Sequence, residues 1–465
     1  MSASTSWAEI EFSQARLGDA RRTRRLIQVA EQRGQRPTAS LPESCGSWAA
    51  TKAAYRLMDN PALTPTAMLD SHRQATLKRI GGGAVVLCPQ DTTQVDYTHH
   101  PHTAGLGVLQ DLQHQGLLVH TTLAITPERV PLGIIDQQVW TRDPDTFGKR
   151  HERRDKPTDD KESQKWLNSL KVVADLRTQC PDTRWVSVGD READVYDFLR
   201  EAHDLKVDVV VRAAWDRCVA HPEGHLWPYL ESQPLQGTLT VTVPRRPDRP
   251  VREAALSVRW AEVRLRPPQH RSAEPLPNVT VWAILVREDQ PPAGVEAIEW
   301  LLLTGLPTST LKEAAERVEW YAARWLIEVF HKVLKSGCRI EQRQFEHADR
   351  LKRCLTLDSV VAWQVLYMTM QARATPDLLC TAFLEEEDWQ ALYCFIHQVP
   401  TPPTTPPTVR DATRWIAQLG GFLGRTHDGL PGPTVLWRGL QRLHDIVSTW
   451  QLFHPAPLAS YVGKD

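Results

Sequence analysis

Ala84-Val85-Val86-Leu87-Cys88-Pro89-Gln90-Asp91-Thr92-Thr93 is the stretch whose reading decides the fold. Residues 84–88 form a short apolar run of buried-strand type, and the run closes at an aspartate. Gly81-Gly82-Gly83 sets it off from the text before it. A second run has the same form: Arg184-Trp185-Val186-Ser187-Val188-Gly189-Asp190. In open α/β sheets, ligands gather at the carboxyl ends of strands. Asp91 and Asp190 are therefore candidate site residues. The plain alternative for each is a turn or cap residue.

Working outward, residues 117–125 and 130–140 read as strands joined by the turn Thr126-Pro127-Glu128-Arg129. A charged loop at 143–162 leads to a helix over 163–179. A helix at 194–204 and a strand at 207–213 follow. Three strands, then helix, strand, helix, strand, imply an α/β layer with a mixed sheet. Residues 214–300 instead show strand alternation at 237–243, 256–260 and 279–286. Proline-rich turns such as 244–250 separate these strands, so this part reads as a β-rich insertion. Helices return at 311–336 and 348–373. A stiff proline-threonine connector at 400–407 precedes short helices to the end.

The 311–336 helix offers a third acid. At about 100° per residue, Tyr321, Arg324, Glu328 and Lys335 fall within roughly a 60° arc. Leu326, Val329, Phe330 and Val333 lie opposite for packing. A solvated face with an Arg324–Glu328 ion pair is the ordinary account of such a stripe.

Residues 7–75 read as helical. Between residues 16 and 36 stand seven arginines against Asp19 and Glu31. Asp19 is placed to cap the helix that carries Arg21, Arg22 and Arg25. That basic face suits phosphates or simply solvent.

The 465 residues exceed one small module, and 41% hydrophobic with 24% charged residues is ordinary globular composition. Lys and Arg total 55 against 56 Asp and Glu, a net charge of −1. This excludes a protein basic throughout, but not a basic face balanced elsewhere. Seventeen tryptophans call for a packed core or ligand stacking. No apolar run reaches the ~18 residues of a membrane helix, and no signal peptide is read at the N-terminus. Eight scattered cysteines without a C-x-x-C pair suggest reduced thiols in a cytoplasmic protein.

Three strings converge on one family: Asp91-Thr92-Thr93, Gly189-Asp190-Arg191-Glu192-Ala193-Asp194, and Tyr-x2-Arg-x3-Glu-x6-Lys at 321–335. Together they resemble the DDE transposases of bacterial insertion sequences. The nearest group is the hairpin-forming, cut-and-paste group of transposon five. The resemblance extends to Leu17-Gly18-Asp19, to Trp300-Leu301-Leu302-Leu303-Thr304 and to Leu419-Gly420-Gly421-Phe422. It implies an α/β, ribonuclease-H-like mixed-sheet catalytic core with a β-rich insertion, flanked by helical N- and C-terminal domains. The expected divisions are a DNA-end-binding domain at 1–75, core segments at 76–213 and 301–373, the insertion at 214–300, and a dimerising domain at 374–465.

By the same resemblance Asp91, Asp190 and Glu328 are catalytic and hold two Mg²⁺ ions, with Mn²⁺ as a substitute. Tyr321, Arg324 and Lys335 clamp a phosphate near the cleavage point. Trp300, aided by Trp325, receives a base flipped from the stack. His331 and Lys332 lie beside DNA, and Arg343 is a further candidate contact. Arg21, Arg22 and Arg25 recognise the transposon end. The implied partners are double-stranded DNA, as inverted-repeat ends and as target, and a second copy of the chain. No membrane partner is expected, and the location is cytoplasmic at the nucleoid. Two other classes compete: a DNA-binding regulator that no longer cuts, and an unrelated two-carboxylate enzyme such as a glycosidase. The complete acid and Tyr-Arg-Glu-Lys set speaks against the first. The cations beside Glu328 suit phosphates better than neutral sugars.

Overall fold

The computed structural model describes residues 6–146, 161–243, 251–271, 273–426 and 428–454. Most of the charged loop and the proline-rich turn at 244–250 lie outside the described residues.

Five helices open the chain: α1 (Trp7–Phe12), α2 (Ala20–Gln35), α3 (Leu41–Cys45), α4 (Trp48–Asp59) and α5 (Pro65–Ile80). A short polar side chain starts each one. Ser6, Asp19, Ser40, Ser47 and Thr64 all accept from a backbone N–H of the first turn, which satisfies a donor the helix leaves unpaired. The Asp19 cap expected from the sequence is present, with Arg21 N donating at 2.8 Å.

The middle of the chain builds one ten-stranded sheet. Its strands are β1 (Val85–Asp96), β2 (Gly107–Val108), β3 (Gln115–Ile125), β4 (Pro131–Trp140), β5 (Arg184–Gly189), β6 (Asp208–Arg212), β7 (Gly237–Val243), β8 (Arg252–Leu265), β9 (Val279–Arg287) and β10 (Glu299–Thr304). Three helices interrupt the strands: α6 (Gln164–Gln179), α7 (Tyr196–Leu205) and α8 (Leu226–Glu231). The spatial order is β2-β3-β1-β5-β6-β10-β9-β8-β7, with β4 paired to β3. β1, β3 and β4 are antiparallel, whereas β5 and β6 run parallel to β1. The sheet is therefore mixed, as expected.

The strands of the β-rich stretch extend this same sheet: β10 pairs antiparallel with β6, and β9, β8 and β7 follow outward. One expectation changes: β1 does not stop at Asp91. It loses its parallel neighbour β5 there but stays paired with β3 as far as Asp96. An unpaired strand edge and a strand end look alike in sequence.

The carboxyl-terminal helices are α9 (Leu311–Ala323), α10 (Trp325–Lys332), α11 (Ala348–Ala374), α12 (Glu386–His397), α13 (Val409–Leu419) and α14 (Pro433–Phe453). The single helix expected at 311–336 is interrupted at Arg324 and widens into a π-helical turn over Val333–Gly337. The last helix is not short, at 21 residues. Leu87 and Val95 pack into the core shared with α9, α10 and α11, while Val86 and Cys88 pack with α6 and α7. Strand alternation thus puts Asp91 on the Leu87 face, the face that α10 covers.

Candidate catalytic and DNA-binding site

Register brings the first two acids together. β1 and β5 run parallel with Cys88 opposite Ser187 and Pro89 opposite Val188. Continued by two residues, that register sets Asp91 level with Asp190. Gly189, just before Asp190, must be glycine: a Cβ there would stand 2.4 Å from the Cβ of Ala193. Asp190 then caps the following turn by accepting from Glu192 N at 2.8 Å.

The third acid comes from α10. Arg324 donates from Nη2 to Glu328 Oε1 at 2.6 Å, and its Nη1 stands 4.0 Å from Asp91 Oδ2. One guanidinium therefore bridges acids from a strand and a helix. Burial raises the Asp91 carboxyl to about 6, and the nearby charges of Asp190 and Glu328 add to that shift. Asp190 stands close enough to Asp91 for its charge to be felt there, but the arginine's own partners are Asp91 and Glu328.

The other predicted residues divide. Tyr321 is buried and meets the Trp300 ring edge-on, with centroids 5.1 Å apart. The Arg324 guanidinium lies 5.9 Å over the Tyr321 ring. Trp325, on the other side of the helix, is 61% exposed. Lys335 sits on the π turn, donates to Gln94 O at 2.9 Å and pairs with Glu341 at 2.9 Å. It is thus tied to β1, next to the acids. Lys332 is exposed. His331, expected beside DNA, is instead buried, with only 7% of its surface accessible. Burial, with Lys335 adding, lowers its ring to about 3 and keeps it neutral.

At the N-terminus Arg21 is exposed and paired with Asp19, Arg22 donates to Leu17 O at 2.8 Å, and Arg25 is half-buried. The Arg343 expectation is overturned. That side chain is 5% exposed and, with Arg33, grips the buried Asp358 at 3.0 Å on each oxygen. An unpaired Asp358 in the core would be prohibitively costly, so the arginine turns inward.

Sequence reasoning missed a polar chain beside the site. The Thr92 hydroxyl is 2.9 Å from His120 Nδ1, His120 Nε2 is 3.1 Å from Gln90 Oε1, and Gln90 Nε2 donates to Ser187 at 2.6 Å. It fastens β3, β1 and β5 together beside Asp91. The available signal was the histidine in the mostly apolar run 117–125, with two threonines after it.

Carboxylates alone are a hard-oxygen donor set of the kind that suits Mg²⁺. Among the described residues, however, no three His, Cys, Asp or Glu side chains are gathered closely enough to hold one ion. Arg324 occupies the gap between Asp91 and Glu328. None of the eight cysteines is bonded to another, and six are buried.

Comparison with known families bears on both ends of the chain. Residues 4–63 match a family model described as Transposase DNA-binding. The matched stretch carries Arg21, Arg22 and Arg25. Residues 360–452 match the Transposase Tn5 dimerisation domain, from within α11 to the end of α14. By class, the matches support a DNA transposase. The dimerisation match narrows this further, to a Tn5-like transposase. No described helix is long and apolar enough to cross a membrane.

Proposed function

We propose that the protein is a DDE transposase that excises a DNA segment and inserts it elsewhere by phosphodiester hydrolysis and transesterification. The observation that carries this reading is Arg324 held between Asp91 and Glu328, with Asp190 level with Asp91 on the neighbouring strand, between a transposase DNA-binding match and a Tn5 dimerisation match. The strand order β4-β3-β1-β5-β6, with three antiparallel strands followed by two parallel to the first, supports a ribonuclease-H-like core.

Asp91, Asp190 and Glu328 would hold divalent cations, Mg²⁺ or in its place Mn²⁺. Bound there, such ions would supply charge to activate the attacking oxygen and stabilise the leaving one. Arg324 then leaves its carboxylate partners for a DNA phosphate, which its planar fork contacts through two parallel N–H bonds. Tyr321 and Lys335 hold the same strand, and Lys332 meets it one turn beyond Glu328. Water cuts one strand at each end. The freed 3′-hydroxyl attacks the opposite strand and closes a hairpin, a second water opens it, and the 3′ end attacks target DNA. So tight a bend expels a base from the stack. Trp300 receives it, aided by the exposed Trp325, with stacking worth ~1–3 kcal/mol per base. Arg21, Arg22 and Arg25 read the end, and the C-terminal helices pair two copies.

The test is incubation of the purified chain with Mg²⁺ and labelled DNA carrying the inverted repeats that flank its coding region. Hairpin products that disappear in Asp190→Ala support the proposal. Binding without cleavage contradicts it and points to a regulator.

A further inference from the structure

A cleft of about 720 Å³ opens where three parts of the chain meet. Thr38 comes from the N-terminal helices. Lys332 comes from the end of the Glu328 helix, Ser336 from the π turn after it, and Arg339 from just beyond that turn. Thr434, Arg438, Gln441 and Arg442 come from α14. Four cations therefore line one cavity. The lone acid in the lining, Asp445, already pairs with Arg36 at 2.7 Å. Arg442 donates to Leu419 O at 2.7 Å. The side chains of Lys332, Arg339 and Arg438 make no hydrogen bond or ion pair among the described residues, and all three residues are exposed.

Like charges gathered around a cleft repel one another, and folding gains nothing from placing them there. Lys332 stands four residues after Glu328, roughly 6 Å along the helix axis. The cleft therefore begins one helical turn from the acids and leads away from them over α14.

We propose that this cleft carries the phosphate backbone of the bound DNA beyond the cleavage point, with Arg339 and Arg438 as its unassigned contacts and Arg442 at its margin. The dimerising region would then grip DNA as well as the second subunit. This rests on the proposed transposase function and adds a strand path to it.

The test measures binding of end DNA as a function of salt, using the full chain without divalent cation. Removing one cation that neutralises a phosphate lowers the slope of log affinity against log salt by about 0.9–1. The double variant Arg339→Ala, Arg438→Ala is expected to lose about 2 from the slope. Arg438→Lys keeps the wild-type slope, and so does Arg410→Ala, whose arginine lies outside the cleft. All the side chains changed are exposed, so the melting temperature should hold or rise. A wild-type slope in the double variant overturns the inference while leaving the functional proposal intact. A wild-type chain with no salt-dependent DNA binding contradicts both. If inorganic phosphate raises the wild-type melting temperature but not that of the double variant, with an unchanged DNA slope, the cleft takes a small anion and the DNA assignment fails.

Discussion

Arg324 donates to Glu328 across one helical turn at 2.6 Å, and the same guanidinium reaches to 4.0 Å from Asp91. Under the proposed function, this is the cation that would turn to a DNA phosphate once DNA arrives. The arrangement needs the break at Arg324. The residue is the one-residue joint between α9 and α10.

Replacing Arg324 by alanine removes a charge-assisted bond worth about 1.5–3 kcal/mol. Strand cleavage should fall roughly 10- to 100-fold by that measure, with Arg324→Lys recovering only part, because lysine lacks the planar fork. Single-turnover cleavage of end DNA reads this out. Full rescue by lysine would reduce the role to bare charge.

The two tryptophans should separate stability from function. Trp325 is exposed, so Trp325→Ala should change stability by no more than about 0.5 kcal/mol while reducing hairpin formation. Trp300 packs on Tyr321, so Trp300→Ala should cost about 1–3 kcal/mol as well as activity. Urea unfolding alongside hairpin yield checks the contrast.

Asp358 joins the N-terminal helices to the segment after Glu328. Arg33 on α2 and Arg343 each donate to it at 3.0 Å, and both also donate to Ala39 O. Burial opposes ionisation of Asp358, but the two arginines override it and hold its pKa low. Removing one partner from such a buried group costs about 3–5 kcal/mol. Asp358→Ala should lose that much in denaturant unfolding.

Acid should destabilise the fold through His72. Its Nδ1 lies 2.6 Å from Glu11 Oε2, and its Nε2 accepts from Ile134 N at 2.9 Å, which leaves no place for a second proton. Burial, with Arg79 adding and Glu11 opposing, lowers the ring below its ordinary 6.5. The unfolded chain therefore binds an extra proton below about pH 6.5, so this contribution is full above that pH and shrinks as pH falls. The melting temperature should decline from about pH 6.5 downward. His72→Gln should be less stable at neutral pH but show a shallower decline.

Local pattern carried the elements that were legible in sequence. The strands at Asp91 and Asp190 and the face with Tyr321, Arg324 and Glu328 follow from spacing alone. The Asp19 cap does too. What was hidden depends on partners distant in the chain. Whether Arg343 faces DNA or Asp358, whether His331 faces out or in, and whether β7–β10 form a new sheet or extend the old one are decided by neighbours tens to hundreds of residues away. Lys335 illustrates both sides: its spacing puts it near the acids, but a π turn and Glu341 decide where its charge points.

If Asp91, Asp190 and Glu328 cut DNA with bound divalent cations, the loss of one acid must abolish cutting without abolishing binding. Single-turnover cleavage of labelled end DNA by wild type and Glu328→Gln, with Mg²⁺ and with EDTA, and with DNA binding measured in parallel, tests this. We predict cleavage by wild type with Mg²⁺ only, and none by Glu328→Gln despite retained binding. Cleavage by Glu328→Gln at the wild-type rate would contradict the assignment.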